Sequence, residues 1–265
     1  MTPENLKKKL DNLYNKYNRR RYVHPDPLEF LYSYKKIKDR EIAGLIASSL
    51  SYGRVAQILK SVSLVLDKMN PSPYLFLNNS TYESIYRAFV GFKHRFAGSG
   101  ELAALIWGIK NVIDRFGSLH KCFSGGLSRD DDTIIRAMTF FSTQLTSGED
   151  KPGHLVAMPE KGSACKRMNL FLRWMVRKDR VDPGGWGGIP LSKLIIPLDI
   201  HMHRISIALN LTKRKQANMN TALEITSGFK KIVPEDPVKY DFALTRLGIR
   251  DDLNIDCVIP RRSSV

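Results

Sequence analysis

Cysteine is scarce in this chain. Its 265 residues hold three, Cys122, Cys165 and Cys257, far apart and odd in number. That pattern excludes a disulfide framework and points to a reducing, cytoplasmic setting. It also leaves too few thiolates for an all-cysteine zinc site or a four-cysteine iron–sulfur cluster in one chain. Long apolar runs are missing, so no segment reads as a membrane span. Residues 1–22 lack the apolar core of a signal peptide. No stretch shows the alternation of a β-strand, and no internal repeat is evident. Acids are few relative to bases: 26 Asp and Glu stand against 42 Lys and Arg, a net charge of +16. Such an excess suits a polyanionic partner, which could be DNA, RNA or an anionic membrane surface.

What is present is helical periodicity nearly throughout. Thr2 or Asn5 can start a helix whose apolar positions are Leu6, Leu10, Leu13 and Tyr17. Asp26 and Pro27 open a short helix through Phe30 and Leu31, Asp39 reads as the cap of the next, and Gly53 as its breaker. The following helix stops at Asn70-Pro71, and two short ones flank Asn78-Asn79-Ser80. His94 to Glu101 reads as a loop, and a long helix then ends at Gly117. The acids at 130–132 fall in the expected first turn of another helix. Beyond Pro152 come a helix over 163–177, a Gly-rich loop over 181–190, and three more helices. The expected fold class is all-α, a single domain over 1–265 with two helical lobes and a cleft between them.

Two motifs carry chemistry. In Lys161-Gly162-Ser163-Ala164-Cys165-Lys166, small residues precede a helix with several basic side chains. A tight turn of small residues lets backbone amides approach a phosphate, and the helix N-terminus favours an anion. The same letters also serve as a plain helix cap. In the run from Pro197 to Ile205, Asp199 stands at a helix start, where Asp is a preferred cap without any chemical duty. His201 and His203 are two apart and point to different faces, so no metal site is expected there.

Taken in order, a small-residue hairpin, a helix bearing Lys166, a loop and then Leu-Asp-x-His-x-x-Arg-Ile, the sequence resembles the helix-hairpin-helix DNA glycosylases that carry a Gly/Pro-rich loop and a catalytic Asp. In lysine-bearing members the hairpin reads roughly Leu-Pro-Gly-Val-Gly-Arg-Lys-Thr-Ala-Asn. Gly162 matches the first hairpin glycine, and Ala164 stands where the second is expected. Lys166 falls on the catalytic lysine, Asn169 on the asparagine one turn on, and Asp199, His201 and Arg204 on the Asp-x-His-x-x-Arg run. The likeness covers about residues 158–210. The insertion VDPGGWGGIP lengthens the stretch between Lys166 and Asp199 to 33 residues. That spacing is similar to the archaeal 8-oxoguanine glycosylase branch. The chain also resembles a bacterial family with the same hairpin, a GGW-type loop and the DPVKYDFAL ending, whose membership names no substrate.

The resemblance implies base-excision repair: removal of an oxidised purine, first of all 8-oxoguanine, with associated AP-lyase activity. Lys166 is then the nucleophile and Asp199 its essential carboxylate, supported by His201 and Arg204. Lys161, Gly162, Ser163, Ala164, Cys165 and Arg167 are the expected DNA contacts. The partner is double-stranded DNA containing a damaged base, and the protein is expected to be a nucleoid-associated monomer with no cofactor, metal or iron–sulfur cluster. A lysine attacks only as the neutral amine, and Lys161, Arg167 and Arg173 are the cations nearest in sequence. Trp186, in GGWGG, is a candidate to stack on the flipped base, although it could equally pin its loop to the core. Asp241 could hydrogen-bond the base edge, or serve as a cap or salt bridge. A non-catalytic helix-hairpin-helix protein that recognises damaged or structured DNA is the alternative, and an RNA-binding module lacks a motif to carry it.

Overall fold

Helices start where a side chain can take an orphan amide and end where the backbone cannot continue. In the computed structural model, which describes residues 2–249 and so leaves Cys257 outside, helix α1 (Pro3–Tyr17) begins on the Thr2 hydroxyl, which accepts the Asn5 amide. It buries the face made by Leu6, Leu10, Leu13 and Tyr17. There follow α2 (Ile37–Ser49), α3 (Val55–Lys68), α4 (Pro73–Asn78) and α5 (Tyr82–Ala88). Next come α6 (Ser99–Phe116), α7 (Leu119–Gly125), α8 (Ile135–Leu145) and α9 (Lys166–Val176), then α10 (Ile200–Ala208), α11 (Met219–Lys230) and α12 (Asp241–Ile249). Short 3-10 segments interrupt the connections, among them Pro27–Ser33, Gly153–Leu155 and Pro159–Lys161.

The molecule is mostly helical, as its periodicity predicts, with one small exception. The stretch read as a loop before α6 folds into a hairpin of two-residue strands, β1 (Lys93–His94) and β2 (Ala97–Gly98), with Lys93 opposite Gly98 and His94 opposite Ala97. Two cap assignments are also corrected. Asp39 does not start α2, whose cap position is Lys36. Its carboxylate is buried and accepts from Ser72 Oγ and from the Tyr74 amide (3.0 Å), so it fastens the start of α4 instead. The acids at 130–132 precede α8 rather than filling its first turn, and Asp131 accepts the Ser128 amide at 2.7 Å within the loop.

Packing centres on α2 and α9. Helix α2 runs against both α9 and the 27–33 turn. Gly44 makes that approach possible, because a Cβ there would lie 3.3 Å from both Leu31 Cδ2 and Phe171 Cε2. Helix α6 packs with α5, α7 and α8, while α12 receives α1 and α10. One continuous set of buried apolar side chains runs through these layers, from Leu10 through Ile42 and Phe171 to Leu244. Its consequence for the site is that the first residue of α9 and the residue before α10 are both held by rigid, packed helices.

Candidate functional site

The hairpin is built from backbone geometry. The turn Pro159–Lys161 ends at Gly162, whose φ of +76° is the left-handed conformation that glycine supplies without strain. A Cβ on Gly162 would meet nothing, so the outer face of this turn is open. Ser163 Oγ accepts the Cys165 amide (3.2 Å), and the Met219 amide donates to Gly162 O (3.2 Å), tying the turn to the start of α11. Cys165 itself has a φ of +47°, a strained value for a residue with a side chain. Buried Asn169 holds that strain in place by donating from Nδ2 to Ala164 O at 3.1 Å. The arm upstream of the turn is a single 3-10 turn, not a full helix.

These constraints set Lys166 at the first position of α9. Its Nζ lies 3.3 Å from Asp199 Oδ2, across 33 residues of chain. The lysine side chain is 36% exposed and the aspartate 14%. The two oxygens of Asp199 have separate partners. Oδ1 accepts the Met202 amide at 2.8 Å and caps α10, which leaves Oδ2 to face the amine.

The pair stands on the wall of a cavity of about 230 Å³, which Asp26, Ser51, Gly53 and His201 help to line. Trp174, Asp241 and Arg246 also line it. They belong to a buried polar layer. Arg173 bonds Asp182 Oδ1 (3.2 Å) and Asp241 Oδ2, while Arg177 bonds Asp179 (2.7 Å), Asp236 (2.9 Å) and Asp182. Arg246 Nη2 reaches Asp26 Oδ2 at 2.6 Å. Three buried atoms that belong to cavity-lining residues have no protein partner: Trp174 Nε1, Asp241 Oδ1 and Arg246 Nε. Unpaired groups of this kind are costly unless something else bonds them. Burial pushes the Asp241 carboxyl up to about 6, against the pull of Arg173 and with the help of the nearby Asp199 charge.

The other expected site residues scatter. Trp186 is not in the cavity. It is 3% exposed, donates from Nε1 to Glu41 Oε2 (2.9 Å), and stacks on His120 at 5.3 Å, so it pins its loop to the core. Arg167 turns inward: Nη1 donates to Ser49 O (2.7 Å), Nη2 donates to His154 O, and the guanidinium lies over the Tyr52 ring at 5.0 Å. Ala164 and Cys165 have buried side chains and can offer only backbone, while Lys161, Gly162 and Ser163 are exposed. Burial pushes the Cys165 thiol up to about 11, which makes it unreactive. Arg204 is exposed on α10, and His203 Nε2 is bonded to Arg214 O at 2.8 Å, away from the pair.

Sequence reasoning missed Trp174, the place on the cavity wall of Arg173, which it named only as a cation near Lys166, and Arg246. A signal existed for the first two: Lys166, Leu170, Arg173 and Trp174 repeat at helical spacing, and all four line the cavity. Arg246 is brought in by α12 and had no local signal.

Among the described residues, no helix is long and apolar enough to cross a membrane, and no group of three or more His, Cys, Asp or Glu side chains is gathered to hold a metal ion. No curated protein and no solved structure matches the chain. Residues 26–250, most of its length, match the family described as "Protein of unknown function (DUF2400)", and the chain belongs to that family.

Proposed function

We propose that this protein is a DNA glycosylase with AP-lyase activity, of the helix-hairpin-helix type, in which Lys166 attacks and Asp199 assists. The observation that carries the reading is the approach of Lys166 Nζ to Asp199 Oδ2, 3.3 Å, on the wall of a cavity. In this reading the carboxylate is the base that activates the amine. The cavity of about 230 Å³ exceeds the ~150 Å³ space that admits benzene. It therefore suits one nucleobase drawn out of the stack, and in this reading it is the cleft between two helical lobes. Asp241 Oδ1 can accept an N–H from the base, and Trp174 Nε1 can donate to a carbonyl or ring nitrogen. Every nucleobase edge carries both kinds of group, so these atoms fit a base without selecting one, and 8-oxoguanine is the first to test because the motif spacing resembles that glycosylase branch.

Asp199 Oδ2 takes a proton from the Lys166 ammonium and passes it to the departing base, and the restored carboxylate stabilises the positive charge that develops on the sugar. The Nζ–C1′ bond forms as the C1′–base bond breaks, and the base departs with a proton. Opening of the sugar ring gives an imine, from which β-elimination breaks the strand 3′ to the lesion. The exposed turn around Gly162, with Lys161 beside it, is the expected seat for a phosphate of duplex DNA.

Borohydride trapping on duplexes that each carry one defined lesion tests the reading. Wild type should form a covalent adduct and Lys166→Gln none. Asp199→Asn keeps a capping oxygen, so it should bind DNA normally while turnover falls by roughly 10²–10⁴-fold. Adduct formation by Lys166→Gln at the wild-type level would remove Lys166 from the mechanism. Salt-sensitive binding with no adduct on any lesion would favour a non-catalytic DNA-binding protein.

A further inference from the structure

The loop between α10 and α11 carries charge that the fold does not use. Residues 213–216, Lys-Arg-Lys-Gln, are all exposed, and neither an acid nor an apolar side chain stands among them. Arg214 is held by Glu224, Nε to Oε2 at 2.5 Å. Among the described residues, Lys213 and Lys215 have no acid partner. Like charges gathered without a counter-charge repel, so the cluster costs the free protein stability and suits an anionic partner.

The backbone beneath these lysines is nevertheless fixed. The Thr212 hydroxyl accepts the Arg214 amide (3.1 Å), His203 Nε2 bonds Arg214 O (2.8 Å), and Thr221 Oγ1 donates to Gln216 O (2.5 Å). A backbone ordered in advance lowers the cost of ordering on binding.

The loop also belongs to the same surface as the turn before Lys166. Asn218 pairs with Ser163 in an isolated antiparallel bridge, and the Met219 amide donates to Gly162 O (3.2 Å). Loop and turn therefore diverge from one point. At full extension the Cα atoms of Lys215 and Lys213 lie no more than about 11 Å and about 18 Å from that of Asn218. One strand of a duplex carries a phosphate every ~3.4 Å along the axis, so the phosphates next to one seated at the Gly162 turn fall within that reach.

Resting on duplex DNA as the partner in the glycosylase reading, we propose that this loop is a second backbone-binding element, in which Lys213 and Lys215 take phosphates beside the one held at the Gly162 turn. The composition selects that occupant. A protein partner is met by an apolar centre, which residues 213–216 do not offer, whereas lysine and glutamine side chains donate to phosphate oxygens. Contacts of that kind carry no sequence information, so the loop grips any duplex and leaves the choice of lesion to the cavity.

The test uses the full chain and measures affinity over a range of salt, for one fully paired duplex and one with a tetrahydrofuran abasic analogue. Lys213→Ala/Lys215→Ala should reduce the slope of log K against log salt by about 2 in magnitude on both duplexes, with the ratio of the two affinities unchanged. Its thermal midpoint should not fall, because the bonds that fix the loop involve neither lysine side chain. Lys213→Arg/Lys215→Arg should keep the wild-type slope. Lys8→Ala/Lys9→Ala, which removes the same charge from exposed positions on α1, should keep it too. A slope that falls equally in the α1 variant, or does not fall in the loop variant, overturns the proposal, as does tighter binding of wild type to an RNA duplex than to either DNA duplex. Borohydride trapping on an aldehydic abasic duplex judges the glycosylase reading separately. Wild type that traps nothing while the loop variant shows its slope effect sinks that reading and leaves the loop, whereas wild type that binds neither duplex sinks both.

Discussion

At the scale of single residues, Asp241 makes a pH prediction. Its carboxyl sits near 6 instead of the ordinary 3.8, because burial outweighs Arg173. Below about 6 it is mostly neutral, and above that it is an anion with Oδ1 free to accept. Affinity for a base that offers an N–H there should therefore rise as pH climbs through about 6 and level off above it. Asp241→Asn should flatten the profile, measured as lesion-duplex affinity between about pH 5 and 8. A raised folded-state value also means that the contribution of Asp241 to stability is fully present below about 3.8 and is lost as pH rises from there through about 6. The Lys166–Asp199 pair was legible because two weak motifs in a fixed order constrain each other. For Trp186 the sequence left base stacking and loop pinning open, because the side chain that decides between them, Glu41, lies far away on α2. Trp174 was hidden by a helix that reads as ordinary core.

At the scale of elements, the turn before α9 depends on Gly162. Alanine at that position should cost about 1 kcal/mol of stability from backbone strain alone, since its Cβ would touch nothing in the protein. Chemical denaturation measures that cost. DNA affinity should fall as well, because the new methyl would cover the face offered to a phosphate. Helix ends marked by their own local residues were readable: Thr2 before α1, Gly117 after α6 and Asp199 before α10. Asp39 was not, since its partners lie on another helix. The β1–β2 hairpin escaped because strands of two residues are too short to show alternation.

At the scale of the whole molecule, a net charge of +16 predicts binding that weakens steeply with salt. Lys161→Ala should reduce the slope of log K against log salt by about 1 in magnitude if that side chain neutralises one phosphate. Titrations at several salt concentrations read this directly. The helical class followed from periodicity, but the buried Arg173–Arg177 layer did not, because Asp236 and Asp241 lie far along the chain from both arginines. The divided duty of Asp199 bears on how relatives should be compared. Under the proposed reaction, a relative that lacked the activity would still profit from aspartate at that position, because α10 uses Oδ1 whether or not any substrate arrives. Lys166 has no such second employment in the scaffold. Whether a relative retains an amine there is thus the better reporter of surviving activity, and the aspartate by itself says little.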